Sequence, residues 1–164
     1  MAWKPIWYWV RSNWGSLVSL VGLLVSFATL LVAKAAKEAA EDAKSEARRR
    51  NLADELDEAQ RKTEQLGSYL AQEKWEIVLL RSQEVVTSCS QILRRWGPEQ
   101  LSETSRDHIL IAQQQAGSIA QVAITAPRTK PTELDLRRLS RAQHKALQLL
   151  SNETAEIAGK IETR

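Results

Sequence analysis

The sequence has little proline, glycine, cysteine or aromatic residue. Its four prolines and six glycines leave long stretches of the 164 residues without a helix breaker. A single cysteine, Cys89, excludes an internal disulfide and a Cys-x-x-Cys metal or redox motif. No alternation of apolar and polar residues runs long enough to predict a strand. These absences favour an all-α protein.

Motifs of enzyme and cofactor chemistry are also missing. Gly159-Lys160 lacks the upstream glycine of a phosphate-binding loop. His108 and His144 have no glutamate three residues before them, as a di-iron helical bundle would require. Cys89 lies on a predicted core stripe without a partner histidine, so we interpret it as a small buried residue. The sequence therefore predicts no catalytic residue, no cofactor and no metal site.

The longest apolar stretch covers residues 12–33, which include no charged side chain. A helix of this length measures roughly 33 Å, and the hydrocarbon core of a bilayer is about 30 Å thick. The stretch predicts a transmembrane helix, preceded by an interfacial segment over 1–11. Tryptophan prefers the headgroup level of a membrane. The predicted membrane-interface residues are Trp3, Trp7, Trp9 and Trp14.

Basic residues are distributed unequally around this stretch. Lys4 and Arg11 precede it, whereas six basic residues follow it: Lys34, Lys37, Lys44, Arg48, Arg49 and Arg50. The asymmetry predicts a single-pass protein with its N-terminus outside and its C-terminus in the cytoplasm, as in a bacterial inner membrane. An uncleaved anchor is favoured over a signal peptide, because the apolar stretch is too long for the latter.

Small residues recur along the same helix in alternating steps of four and three. They are Gly15, Ser19, Gly22, Ser26, Thr29, Ala33, Ala36, Ala40, Ala43 and Ala47. Small side chains let helices approach closely in a bilayer, so the stripe predicts a helix–helix interface in a homo-oligomer. Its hydroxyl groups are expected to form hydrogen bonds across the seam of a dimer, or to face water in a larger ring.

The rest of the chain predicts a juxtamembrane helix or coiled coil over 34–66 and an antiparallel helical bundle over 68–164, with a helix break at Gly67. Predicted helices run to Trp96, over Glu103–Thr125, and from a cap at Thr132 to about Ile161. Heptad spacing predicts the buried positions. They are Leu52, Leu56, Ala59, Thr63, Leu66, Leu70, Ala71, Trp75, Val78, Ser82, Val85, Cys89, Ile92, Trp96, Ile109, Ala112, Ala116, Ile119, Ala123, Leu136, Leu139, Ala146, Leu150, Ile157 and Ile161.

Two groups of arginines are candidates for contact with anionic headgroups or phosphate. They are Arg48, Arg49 and Arg50 after the membrane stretch, and Arg137, Arg138 and Arg141 in the last helix. The alternative interpretation is an ordinary solvated face. Nucleic acid is disfavoured as a partner, because no aromatic residue is interleaved to stack on bases.

These features predict a non-enzymatic, self-associating membrane protein that presents a helical interaction or regulatory module to an unidentified cytosolic protein. Two alternatives stay open: a defence-type membrane-perturbing or pore-forming effector with a helical HEPN-like cytosolic domain, and a membrane-tethered RNA-binding domain. The layout of one anchor and a helical domain is similar to that of some prokaryotic defence proteins. HEPN nucleases carry Arg-x4-His, whereas Glu103 and Leu139 stand five residues before the two histidines.

Overall fold

The computed structural model of the chain consists of four helices. They are α1 (Lys4–Ala71), α2 (Trp75–Arg95), α3 (Glu103–Thr125) and α4 (Glu133–Glu162). The structure describes the backbone of residues 4–162 and the side chains of residue 19 and residues 21–159. No strand occurs between residues 4 and 162, so the all-α prediction is confirmed.

Contacts divide the chain into two compact units, Met1–Ser45 and Glu46–Arg164. In the first unit, every side chain described from residue 21 to residue 44 is exposed. Within the described part of the chain, none of the helices combines the length and the apolar character that a membrane crossing requires. The predicted transmembrane span over 12–33 therefore has no support from the structure. Part of that range lies outside the described side chains.

The second unit is a four-helix bundle built from the C-terminal part of α1 together with α2, α3 and α4. Short connections join successive helices, which favours antiparallel neighbours. Side-chain pairs across each interface show this direction. The pairs are Arg95 with Glu55 (2.5 Å), Gln113 with Ser90 (2.9 Å), His108 with Glu153 (2.6 Å) and Gln143 with the carbonyl of Thr63 (3.0 Å). The last pair joins α4 to α1 and closes the ring of helices. The predicted helical bundle is confirmed.

The core of the bundle follows the heptad positions and divides into two clusters. The large core cluster contains Leu52, Leu56, Ala59, Val85, Cys89, Ile92, Trp96, Leu101, Ile109, Ala112, Ala116, Ala146, Leu150 and Ile157. The small core cluster contains Leu66, Leu70, Val78, Ile119, Ala123 and Leu139. Predicted positions at helix ends are less buried: Ala71 is exposed, and Trp75 and Leu136 are half-buried. The side chain of Ile161 lies outside the described residues.

The compact unit begins before the predicted bundle boundary. The sequence separates a juxtamembrane helix over 34–66 from a bundle over 68–164, whereas the contacts divide the chain after Ser45. Leu52 and Leu56 explain the difference, because both are buried in the large core cluster. The C-terminal part of α1 is thus the first helix of the bundle.

The predicted helix break at Gly67 is wrong. α1 continues through Gly67 to Ala71, and the chain turns over Gln72–Lys74. Glu73 adopts the left-handed conformation with φ of 52°. The backbone N–H groups of Glu73 and Lys74 donate back to carbonyls in the last turn of α1. Glycine usually occupies such a helix C-terminus, so a glutamate there gives no sequence signal.

Side-chain caps begin α3 and α4. Ser102 Oγ accepts a hydrogen bond from the backbone N–H of Ser105 at 3.1 Å. At α4, Thr132 Oγ1 accepts from the N–H of Asp135 at 3.2 Å, and Asp135 Oδ2 accepts from the N–H of Thr132 at 3.0 Å. This reciprocal pair is a capping box that uses aspartate. It confirms the predicted cap at Thr132.

Candidate functional site

Large apolar side chains cover most of the circumference of α1 between residues 21 and 32. Each of the following exposes 52–70% of its surface: Val21, Leu23, Leu24, Val25, Phe27, Leu30, Leu31 and Val32. Successive residues of a helix point about 100° apart, so Leu23, Leu24 and Val25 face three different directions. Together the eight side chains cover about 220° of the helix circumference, and a single neighbouring helix would cover only part of this arc. The remaining side carries small residues.

The predicted small-residue stripe lies on the same helix. Its described members are all exposed: Ser19, Gly22, Ser26, Thr29, Ala33, Ala36, Ala40, Ala43 and Ala47. Ser26 Oγ donates to the carbonyl of Gly22 at 2.8 Å, and Thr29 Oγ1 donates to that of Val25 at 2.7 Å. These two hydroxyl protons are therefore satisfied within their own helix, rather than across a seam. Gly15, Trp3, Trp7, Trp9 and Trp14 lie outside the described side chains.

Charged residues follow the apolar stretch and pair along the helix. The ion pairs are Lys34 with Glu38, Lys37 with Glu41, and Arg50 with Glu46. Such exposed pairs contribute little stability. Arg48 is exposed and Arg49 half-buried, and neither forms an ion pair within the described residues. Two of the three predicted headgroup-contact arginines thus keep an uncompensated charge.

The three predicted phosphate-contact arginines of α4 are exposed but not equivalent. Arg137 Nη2 lies 2.6 Å from Glu133 Oε1, which neutralises its charge. Arg138 and Arg141 have no ion pair in the part of the chain described. The hydrogen bonds of the α4 cap lower the pKa of Asp135, with a smaller effect from Arg138 nearby. The free positive charge of this face therefore comes from Arg138 and Arg141.

A polar groove of about 580 Å³ lies between α1 and α2. Glu55 accepts hydrogen bonds from Arg95 at 2.5 Å and from the indole N–H of Trp96 at 2.7 Å. Farther along the groove, Lys62 Nζ donates to Ser88 Oγ at 3.0 Å. These groups satisfy one another, so they join α1 to α2 and leave little charge for a ligand.

Gly67 of α1 lies against the side chain of Gln143 in α4. A Cβ atom at this position would lie 2.8 Å from Nε2 of Gln143. Gln143 is only 5% exposed, and its Nε2 donates to the carbonyl of Thr63 at 3.0 Å. The glycine that the sequence assigned to a helix break instead makes room for a buried amide. Sequence reasoning missed Gln143, although it lies three residues before the buried Ala146.

A histidine and a buried carboxylate meet between α3 and α4. His108 Nδ1 lies 2.6 Å from Glu153 Oε1. Glu153 is 2% exposed, and its Oε2 has no partner among the described residues. Sequence reasoning considered His108 but missed Glu153. Its spacing was a usable signal, because Glu153 lies seven residues after the buried Ala146 and three after Leu150.

Cys89 is fully buried in the large core cluster, as predicted. Burial raises the pKa of its thiol to about 12. The reactive form of cysteine is the thiolate, and it is scarce at neutral pH with such a pKa. Within the described residues, no group of three or more His, Cys, Asp or Glu side chains could hold a metal ion.

Comparison of the chain with protein-family models, with curated proteins and with solved structures finds no match. Function therefore has to follow from the chemistry of the chain itself. In the described part of the bundle, charged side chains that lie close together mostly form ion pairs with each other. The most unusual feature is the apolar surface of residues 21–32.

Proposed function

We propose that the protein is a single-pass membrane protein that self-associates and presents its helical bundle to the cytoplasm as an interaction module. Residues 12–33 are the membrane anchor in this proposal. The observation that carries it is the exposure of large apolar side chains over most of the circumference of α1 between residues 21 and 32.

The energetics of this surface support a surrounding apolar medium. Full burial of one Val, Leu or Phe side chain stabilises by about 1.5–3 kcal/mol. The eight exposed side chains therefore represent on the order of 10 kcal/mol. A partner helix on one side would recover only part of this free energy, whereas lipid covers the whole apolar arc. The uncharged sequence from residue 12 to residue 20 extends the same apolar stretch toward the N-terminus.

Orientation and self-association follow from neighbouring features. The excess of basic residues after residue 33 favours a cytoplasmic C-terminal side. The small-residue stripe offers a smooth surface for close helix packing, since the hydroxyl protons of Ser26 and Thr29 are already bonded within the helix. The charged side chains that approach each other in the described part of the bundle mostly form ion pairs. They are therefore less available to act on a substrate, so binding of a protein partner fits this domain better than catalysis.

Membrane anchorage is tested by alkaline extraction of membranes that contain the full chain. Leu24→Arg combined with Val25→Arg places two charges in the centre of the proposed span. Each arginine there costs about 2.5–3.5 kcal/mol, so the variant should move to the soluble fraction. Leu80→Arg is the matched control, because Leu80 is 55% exposed on the bundle. This control should stay in the membrane with the wild-type chain.

Recovery of the wild-type chain in the soluble fraction without detergent would overturn the anchor. Orientation is measured with reporter fusions after Arg164, one active only in the cytoplasm and one only outside. Activity of the exported reporter would reverse the proposed topology.

Self-association is tested by cysteine crosslinking in native membranes. Cysteine at Ala40, on the stripe, should crosslink between chains more efficiently than cysteine at Lys44, off the stripe. Gly22→Leu should lower the yield at Ala40 without affecting insertion, because a bulky side chain separates the helices. Equal yields at Ala40 and Lys44 would contradict the stripe. A particle of six or more chains in detergent would favour the pore-forming alternative.

A further inference from the structure

α3 lacks charge over most of its length. The sequence from residue 108 to residue 127 contains no Asp, Glu, Lys or Arg, although these residues make up 26% of the chain. The helices on either side differ: α2 carries Arg81 and Glu84 within its length, and α4 carries Arg141 and Lys145. A solvated helix face normally carries charged residues, so the composition of α3 needs an explanation.

The absence of charge extends to the surface of the bundle. Leu110, Gln114, Gly117, Gln121 and Ile124 are spaced by alternating steps of four and three, which places them on one face of α3. We call these five residues the α3 outer face. Leu110 is 43% exposed and Ile124 is 53% exposed. Two large apolar side chains thus stand at the two ends of an uncharged surface.

Gly117 occupies the middle of the α3 outer face. A Cβ atom there would meet no described heavy atom within 4 Å, so packing within the bundle does not require glycine. Glycine is nevertheless the least favourable residue inside a helix after proline. A glycine at the centre of an exposed face has a clear use when a second helix crosses closely above it.

We propose that the α3 outer face is a self-association surface, on which α3 of a second copy packs with its closest approach at Gly117. Leu110 and Ile124 each lie seven residues from Gly117, so the face is self-complementary in both directions. A parallel pair brings each residue against its own copy. An antiparallel pair brings Leu110 against Ile124 at both ends.

The chemistry of the face favours a second copy over other occupants. A charged protein or nucleic acid would find no charged group to pair with on it. A bilayer interior would leave the amides of Gln114 and Gln121 without partners. The same amides both donate and accept hydrogen bonds, so identical faces can satisfy each other. This inference does not depend on the membrane anchor.

Cysteine crosslinking of the full chain in its Cys89→Ala form tests the surface. Single cysteines replace Gln114 or Gln121, and Thr87→Cys is the control on the exposed side of α2. Parallel packing predicts that each single variant crosslinks with itself. Antiparallel packing predicts crosslinks only in a mixture of the two variants. Crosslinking yields at the level of Thr87→Cys in all three samples would overturn the proposal. Reaction of these cysteines with a crosslinker attached to lipid, and not with a second chain, would also overturn it.

Gly117→Leu supplies the second measurement. A Cβ atom at this position meets no described neighbour, so the chain should keep its helical content. Its unfolding midpoint should not fall, because leucine is a better helix former than glycine. The bulky side chain should lower the association constant about tenfold, which corresponds to about 1.4 kcal/mol. An unchanged crosslinking yield in this variant would also overturn the proposal. Crosslinking at Ala40 reports the α1 stripe and should not change, which separates failure of this surface from failure of the proposed membrane assembly.

Discussion

Replacing Gly67 by alanine tests the contact between α1 and α4. The added methyl group would lie 2.8 Å from Nε2 and 2.9 Å from Cδ of Gln143, well inside van der Waals contact. Gln143 is buried, and its Nε2 donates to the carbonyl of Thr63 at 3.0 Å. The amide therefore cannot move away from the methyl group without losing this hydrogen bond.

The size of the effect follows from two opposing terms. A buried amide left without its partner costs about 1–3 kcal/mol. Alanine in place of glycine inside a helix returns about 0.8–1 kcal/mol. Gly67→Ala should therefore lower the free energy of unfolding by about 1 kcal/mol. Gly117→Ala has no described neighbour within 4 Å of the new carbon, so it should show the favourable helix term alone.

The assay is urea unfolding of the full chain in mild detergent, followed by far-ultraviolet circular dichroism at concentrations where the chain is monomeric. Because the helix term is common to both alanine variants, their difference isolates the clash at about 1–3 kcal/mol. Adding Gln143→Ala to Gly67→Ala removes the clash, so the two changes should be non-additive. Equal stability of Gly67→Ala and Gly117→Ala would refute the reasoning, because Gln143 would then have moved without cost.

Three further predictions concern titratable groups of the bundle. An unfolded cysteine ionises near its ordinary pKa of 9.0, whereas burial raises the pKa of Cys89 to about 12. The free energy of unfolding should therefore fall as pH rises between these two values, by up to about 4 kcal/mol, and urea unfolding of Cys89→Ala should not show this loss. His108→Ala should lower the free energy of unfolding by about 1–3 kcal/mol, because Glu153 then stays buried without a hydrogen-bond donor. Adding Glu153→Met should restore the thermal midpoint, and a midpoint that does not recover would contradict the pairing. The lowered pKa of Asp135 means that its contribution is present above about pH 4 and is lost as pH falls through the folded-state pKa. Asp135→Asn should flatten the acid limb of the stability profile, and Thr132→Val is a companion that removes the hydroxyl part of the same cap.

Most of the bundle could be predicted because its buried residues repeat with the period of a helix. The set from Leu52 to Leu70 is buried throughout, and the bounds of α3 agree with the prediction at both ends. Apolar spacing predicts such elements well, since burial of one face is what holds a helix in a bundle. The cap at Thr132 could be predicted for a similar reason, because its hydrogen bonds join residues close in sequence.

Polar residues account for what sequence reasoning missed. Gln143 and Glu153 occupy core positions of α4 that apolar spacing passes over, and their partners Thr63 and His108 lie on other helices. Only the folded chain brings such pairs together. Glu73 ends α1 in a left-handed conformation without a glycine, proline or asparagine to indicate it. The candidate surfaces depend on exposure, and heptad spacing alone does not show whether a face lacks a neighbour.

The unequal size of the two core clusters implies a gradient of local stability along the bundle. Both clusters draw on all four helices, but the small core cluster has fewer residues and lies beside the turn over Gln72–Lys74. Opening the second end separates fewer buried side chains, so it requires less than global unfolding. In native-state hydrogen exchange, the amides of residues 66–71 and 119–126 should exchange through this partial opening. Those of residues 85–92 and 109–116 should exchange only when the whole bundle unfolds.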